Sequence, residues 1–100
     1  MKLHTHAVTD AKIIIDMIIK EYNPVRIYQW GSLLYPSNFR TYSDIDIGVE
    51  GINSSETYFA LLGAAQSITK FPVDIVKMEK IEPEYAEDIR TNGRLVYERE

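Results

Sequence analysis

The chain has 100 residues, of which 45% are hydrophobic and 26% charged, so a single globular domain over residues 1–100 is expected. It has no cysteine, which excludes a disulfide framework and a thiolate metal site. Its net charge of −4 argues against broad electrostatic binding of nucleic-acid phosphates. The opening "MKLHTHAVTD" lacks an apolar signal-peptide core and the isoleucine-rich run after it is too short to span a bilayer, so a cytoplasmic protein with no membrane association is expected.

The first half of the chain predicts one helix and two strands. Thr9 followed by an aspartate is a helix-start signal, and apolar residues recur over 11–22, so the first helix is expected there. Strands are predicted over 25–30, which is rich in β-branched and aromatic residues, and over 43–50, where polar and apolar residues alternate. A short helical turn beginning at Ser32 and a polar loop connect the two strands.

The second half predicts two further helices and two strands. A helix is expected from the serine pair before residue 56 to about Thr69, and a strand over 71–78. Pro83 begins the last helix, Gly93 ends it, and "RLVYE" over 94–98 forms a tail strand or a docked segment. The order predicts an α/β (α+β) fold, with helices packed on one face of a small mixed sheet.

The first helix has only a thin polar stripe, formed by Lys12, Asp16 and Lys20, and isoleucines cover most of its circumference. Such a helix favours burial on more than one side. One interpretation is a helix sunk into the core of its own domain, with some isoleucine left exposed. The other is a surface for a partner or for self-association.

Two aspartates lie two residues apart in an apolar strand. Because side chains on a strand alternate between faces, Asp44 and Asp46 project on the same side, about 6.6 Å apart along the strand. Asp74 stands alone in the later apolar strand, so a neighbouring pair of strands would bring three carboxylates together. Crowded carboxylates repel, and one stays protonated unless a cation lies between them. Magnesium, which prefers oxygen ligands and binds substrate phosphates, fits this arrangement.

A Gly-Ser pair ends the preceding strand. Gly31 has no side chain and lets a ligand approach the backbone, while Ser32 offers an N–H group and a hydroxyl where anions are favoured. Taken separately, a polar-out strand and a Gly-Ser turn are also ordinary structural features. Together they indicate a site for a metal ion and a triphosphate.

These motifs resemble those of the minimal nucleotidyltransferases in the DNA polymerase beta superfamily. The resemblance covers residues 25–98, including the closing helix and tail. The family's Gly-Ser signature, its Asp-x-Asp motif and its third acidic residue are similar to Gly31-Ser32, Asp44 with Asp46, and Asp74.

The resemblance implies a nucleotidyltransferase with ATP as the donor and Mg²⁺ held by Asp44 and Asp46. Asp74 completes the metal site and helps to activate the acceptor hydroxyl, while Gly31, Ser32 and Arg40 bind the nucleotide. Many short members of the family are antitoxins that act on a HEPN-type ribonuclease toxin, some by adding AMP to a tyrosine. A toxin partner and a homo- or hetero-oligomer are therefore implied.

Two alternative functions stay open from the sequence. The first is a catalytically weak antitoxin that neutralises its partner by occlusion. The second is nucleotidyl transfer to a small molecule. The stretch "LLYPSNF" after the Gly-Ser pair departs from the small and basic residues usual in the family, and it is the feature that favours the weak-site alternative.

Overall fold

The computed structural model describes residues 2–34 and 43–100, which form a four-stranded sheet with three α-helices. The sheet order is β3-β2-β1-β4, with β2 parallel to β3 and the other neighbours antiparallel. The predicted α+β fold class is confirmed. The elements are α1 (Lys2–Tyr22), β1 (Arg26–Trp30), a 3-10 helix (Gly31–Leu34), β2 (Ile45–Glu50), α2 (Ser55–Ile68), β3 (Val73–Lys77), α3 (Pro83–Asn92) and β4 (Arg94–Glu98).

The main core lies between one face of the sheet and the helices α1 and α2. Ile27 and Ile47 of the sheet, Ile14 and Ile18 of α1, and Leu61 of α2 are all fully buried there. The helices supply apolar residues at helical spacing and the strands supply alternate residues, so each element buries one face. This layer holds β2 and β3 in place beneath the aspartates on the opposite face.

The first helix begins at Lys2, nine residues before the predicted start. Asp10 is not a helix cap: its carboxylate accepts a hydrogen bond of 2.6 Å from the hydroxyl of Thr69 at the end of α2. Ala7 and Ala11 extend the buried stripe towards the N-terminus. Within the described parts of the chain, no helix is both long and apolar enough to cross a bilayer.

The isoleucines of α1 are mostly part of the domain's own core. Ile14, Ile15 and Ile18 are buried, whereas Ile13 is 49% exposed and Val8 is 38% exposed. The interpretation of α1 as a helix sunk into the core of its own domain, with some isoleucine left exposed, is therefore confirmed.

The placement of α3 differs from the prediction that the helices share one face. Ala86 and Ile89 of α3 are buried against Tyr28 and Met78, in a second, smaller apolar cluster on the opposite face of the sheet. The cause is that β1 is apolar on both sides: Ile27 enters the main core and Tyr28, the next residue, faces the other way. Both faces of the sheet near β1 therefore need a helical cover.

A charged network fixes α3 on this second face. Glu50 is 9% exposed, and its carboxylate accepts hydrogen bonds of 2.9 Å from Arg26 and 3.2 Å from Arg90. Arg26 also donates to Glu98 of β4 at 2.9 Å. A nearly buried carboxylate requires such partners, because desolvation alone would disfavour its charge. The network joins β1, β2, α3 and β4.

Candidate active site

Three carboxylates meet on the face of the sheet that α3 partly covers. Asp46 of β2 and Asp74 of β3 are direct partners in the parallel register, and Asp44 lies just before β2 on the same side. One carboxylate oxygen from each of the three aspartates lies within 4.8 Å of the others. The structure thus brings together all three acidic residues that the sequence singled out.

The carboxylates of this cluster disfavour each other's ionised forms. Burial and then the charges of Asp44 and Asp74 raise the pKa of Asp46 to about 7. Burial and the charge of Asp44 also raise the pKa of Asp74. A divalent cation would relieve this repulsion, and carboxylate oxygens are the ligands that Mg²⁺ and related hard cations prefer. The donor set therefore fits a magnesium ion.

The backbone of Gly31 lies directly against this cluster. Trp30, the last residue of β1, pairs with Asp46, and the 3-10 helix begins at the next residue. Gly31 has a φ of +81°, and a Cβ atom there would collide with the carboxylate of Asp46. Glycine is therefore required by both backbone conformation and space. The predicted turn is present and starts one residue earlier than Ser32.

Two of the predicted nucleotide-binding features cannot be placed. The side chain of Ser32 is not described, although its backbone lies in the 3-10 helix. Arg40 lies outside the described residues.

An aromatic pair borders the carboxylates on the side of α3. The rings of Trp30 and Tyr85 meet edge to face, with their centroids 6.1 Å apart and an angle of 88° between the ring planes. Tyr85 is 40% exposed. Its pKa is raised by burial and by the charges of Asp74 and Asp46, whereas hydrogen bonding by Trp30 acts in the opposite direction. The phenol of Tyr85 is therefore in the electrostatic field of the acidic cluster.

The sequence reasoning did not identify Tyr85 as part of the site. The predicted fold put the helix that begins at Pro83 on the same face of the sheet as the other helices, whereas α3 packs on the opposite face. The signal that would have found Tyr85 is the two-sided apolar character of β1, which calls for a helix on each face.

Comparison with known proteins identifies a family and a set of structures with the same fold. The family model described as "Polymerase beta, Nucleotidyltransferase" matches residues 12–100. No curated protein sequence matches the chain at a significant level.

Two of the similar solved structures are of toxin–antitoxin proteins. A crystal structure of the toxin–antitoxin MntA–HepT superposes with a TM-score of 0.69 at 19% identity, covering 91% of this chain and 72% of that chain. A toxin–antitoxin crystal structure with AMP-PNP gives a TM-score of 0.72 at 22% identity, covering 89% of this chain and 74% of that chain. At these identities the comparison shows a shared fold.

Proposed function

Since the chain belongs to the polymerase beta nucleotidyltransferase family, we propose that it transfers AMP from ATP to a hydroxyl group on a partner protein. The observation that carries this proposal is the convergence of Asp44, Asp46 and Asp74, whose carboxylate oxygens lie within 4.8 Å of one another beside the Gly31 backbone. In the proposed site, these carboxylates are the protein ligands of a divalent metal ion that also binds the triphosphate.

Asp44 and Asp46 would hold Mg²⁺, and Asp74 would complete the site. The raised pKa of Asp46 supports this assignment, because a carboxylate crowded by two others gains most from a bound cation. When bound, a divalent ion stabilises the negative charge that develops on the phosphates during transfer.

The nucleotide would bind against the turn that follows β1. The absence of a side chain at Gly31 leaves room for the Asp46 carboxylate beside the turn, so phosphates bound at the turn would lie next to a metal ligand. Ser32, next to it in the 3-10 helix, and Arg40 are the proposed further contacts to the nucleotide. A relative of the same fold has been crystallised with AMP-PNP, which supports ATP as the donor.

The acceptor hydroxyl would approach from the side of Asp74. Asp74 is exposed and belongs to β3, which the order of the described strands puts at an edge of the sheet. A hydroxyl brought by another molecule can therefore reach its carboxylate. Asp74 would accept the proton of that hydroxyl, which is general-base catalysis and contributes a factor of about 10² to 10⁴ in such reactions.

The proposed partner is a HEPN-type toxin in the cytoplasm, with this chain as its antitoxin. The support is that similar folds occur in MntA–HepT toxin–antitoxin complexes. The exposed position of Asp74 agrees with an acceptor that comes from another chain.

The test is transfer of label from ATP to the product of a neighbouring toxin-like gene. ATP labelled in its α-phosphate is incubated with Mg²⁺, the candidate toxin and either the wild type, Asp46→Asn or Asp16→Asn. Asp16 is an exposed aspartate of α1 outside the acidic cluster, so it is the matched control. Label should pass to the toxin with the wild type and with Asp16→Asn, and not with Asp46→Asn or after chelation. Equal labelling by Asp46→Asn would reject the metal-site assignment.

A further inference from the structure

Tyr85 stands at the border of the acidic cluster and is open to solvent. It is the third residue of α3 and is 40% exposed. Its ring packs edge to face on Trp30, whose strand partner is Asp46. The two contacts fix the phenol on the same face of the sheet as Asp46 and Asp74.

The Tyr85 hydroxyl lies within the electrostatic reach of the proposed metal ligands. Burial and the charges of Asp74 and Asp46 raise its pKa, and the hydrogen bond from the Trp30 indole offsets this only in part, so the phenol keeps its proton at neutral pH. It becomes a nucleophile only when a base takes that proton during transfer, and Asp74, on the same face of the sheet, is the proposed base.

Another tyrosine near Asp74 has its hydroxyl hydrogen-bonded to the backbone and packs on the other face of the sheet. The charge of Asp74 also acts on Tyr58, but the Tyr58 hydroxyl donates a hydrogen bond of 2.6 Å to the backbone carbonyl of Ile75. Tyr58 packs against the main core, on the opposite face of the sheet from α3. It is therefore a matched control for Tyr85.

We propose that Tyr85 is an internal acceptor, so that the protein transfers AMP to its own Tyr85 and by doing so limits its own activity. This inference rests on the proposed function, since it uses the same donor and the same carboxylates. It assigns a modification site on this chain in addition to the acceptor on the partner.

The reaction balances as a simple substitution at phosphorus. The Tyr85 Oη atom forms a bond to the α-phosphorus of a nucleoside triphosphate, and the bond from that phosphorus to the oxygen bridging to the β-phosphorus breaks. The bonding electrons leave with pyrophosphate. The phenolic proton passes to the Asp74 carboxylate and then to water. The product is a phosphodiester between Tyr85 and AMP.

The modification would reduce further transfer for an electrostatic reason. The new phosphodiester carries one negative charge and stands beside Asp46 and Asp74. It occupies the space next to the carboxylates and repels the phosphates of an incoming ATP. Self-modified protein should therefore transfer AMP to a toxin at least about tenfold more slowly than unmodified protein.

The experiment follows AMP on the antitoxin itself. Wild type, Tyr85→Phe and Tyr58→Phe are incubated with α-labelled ATP and Mg²⁺, first alone and then with the candidate toxin. Intact mass and peptide mapping locate the adduct. Wild type and Tyr58→Phe should gain one AMP on Tyr85, and Tyr85→Phe should lose at least about nine-tenths of the label. Thermal melting with and without Mg²⁺ and ATP checks that Tyr85→Phe is folded and binds nucleotide.

The outcomes separate this inference from the proposed function. Labelling of the toxin with no AMP on Tyr85 of the wild type would overturn the inference and leave the proposed function standing. No label on either protein would reject both. A rate constant for self-labelling that rises in proportion to protein concentration would show transfer between copies and contradict an acceptor within the chain.

Discussion

Gly31 and Asp46 approach each other so closely that a Cβ atom on Gly31 would overlap the carboxylate of Asp46. The contact joins the end of β1 to the centre of the acidic cluster. In the proposed site, the phosphates and the metal ligands meet at this point. The contact therefore predicts how the site responds to a single added methyl group.

Gly31→Ala should reduce nucleotide binding and transfer more than it reduces stability. The added methyl group displaces Asp46, and the positive φ strains any other residue by about 1 kcal/mol. We expect at least about a tenfold loss of transfer, measured with α-labelled ATP. Gly63→Ala in α2 is the control, because a Cβ atom there meets nothing within 4 Å. If Gly31→Ala is folded and transfers AMP at the wild-type rate, the nucleotide does not bind against the Gly31 turn.

Asp46 should make the metal-free protein less stable as the pH rises. Its pKa is about 7 in the folded chain against an ordinary value of 3.8, so the folded state binds its proton more tightly than the unfolded state. The contribution of Asp46 to the free energy of unfolding is fully present below about pH 4 and is lost as the pH rises through 7. Because Asp46 is only partly buried, the loss is on the order of 2 kcal/mol.

Asp46→Asn should remove this pH dependence. In the presence of a chelator and above pH 7, the variant should be more stable than the wild type, and the two should converge in acid. Urea unfolding across this pH range gives the comparison. Adding Mg²⁺ above pH 7 should stabilise the wild type and not the variant. A wild type whose stability is unchanged by both pH and Mg²⁺ would argue against a cation site at this cluster.

Asp74→Asn should separate acceptor activation from donor binding. The amide cannot take a proton, so transfer should fall by a factor of about 10² to 10⁴ if Asp74 is the general base. Binding of ATP with Mg²⁺ should weaken much less than in Asp46→Asn, because Asp46 lies at the centre of the cluster. Calorimetric titration with a non-hydrolysable ATP analogue measures that binding. If Asp74→Asn and Asp46→Asn lose ATP binding and AMP transfer to the same extent, Asp74 has no separate role as the general base.

Glu50→Gln tests the network that positions α3. The substitution leaves Arg26 and Arg90 without their nearly buried carboxylate partner, and we expect a loss of about 2 kcal/mol in the free energy of unfolding. Glu87 pairs with Arg90 at 3.8 Å and its side chain is 71% exposed, so Glu87→Gln should cost less than about 0.5 kcal/mol. Equal effects in urea unfolding would mean that the Glu50 network does not stabilise the second face.

The sequence predicted the acidic cluster because strand geometry leaves few choices. Alternation fixes Asp44 and Asp46 on one face, and the apolar residues around Asp74 favour a strand. The start of α1 was not predictable from local signals, because the role of Asp10 depends on a hydrogen bond to Thr69, 59 residues away.

The sequence of α3 alone does not predict its position, for a related reason. The spacing of its apolar residues predicts which of them are buried, but it does not predict which face of the sheet they pack against. Tyr85 was missed with it, since its proximity to the carboxylates depends entirely on where α3 packs.

The fate of a toxin after it is separated from this protein tests the central claim most directly. Toxin is incubated with wild-type protein, ATP and Mg²⁺, the two chains are separated under mild denaturation, and the refolded toxin is assayed and weighed by mass spectrometry. Toxin treated with Asp46→Asn is the control. Our account predicts that toxin treated with the wild type stays inactive and carries added AMP, because a covalent mark outlasts the complex. Full recovery of toxin activity with unchanged mass would contradict catalysis and indicate that the protein acts by occlusion.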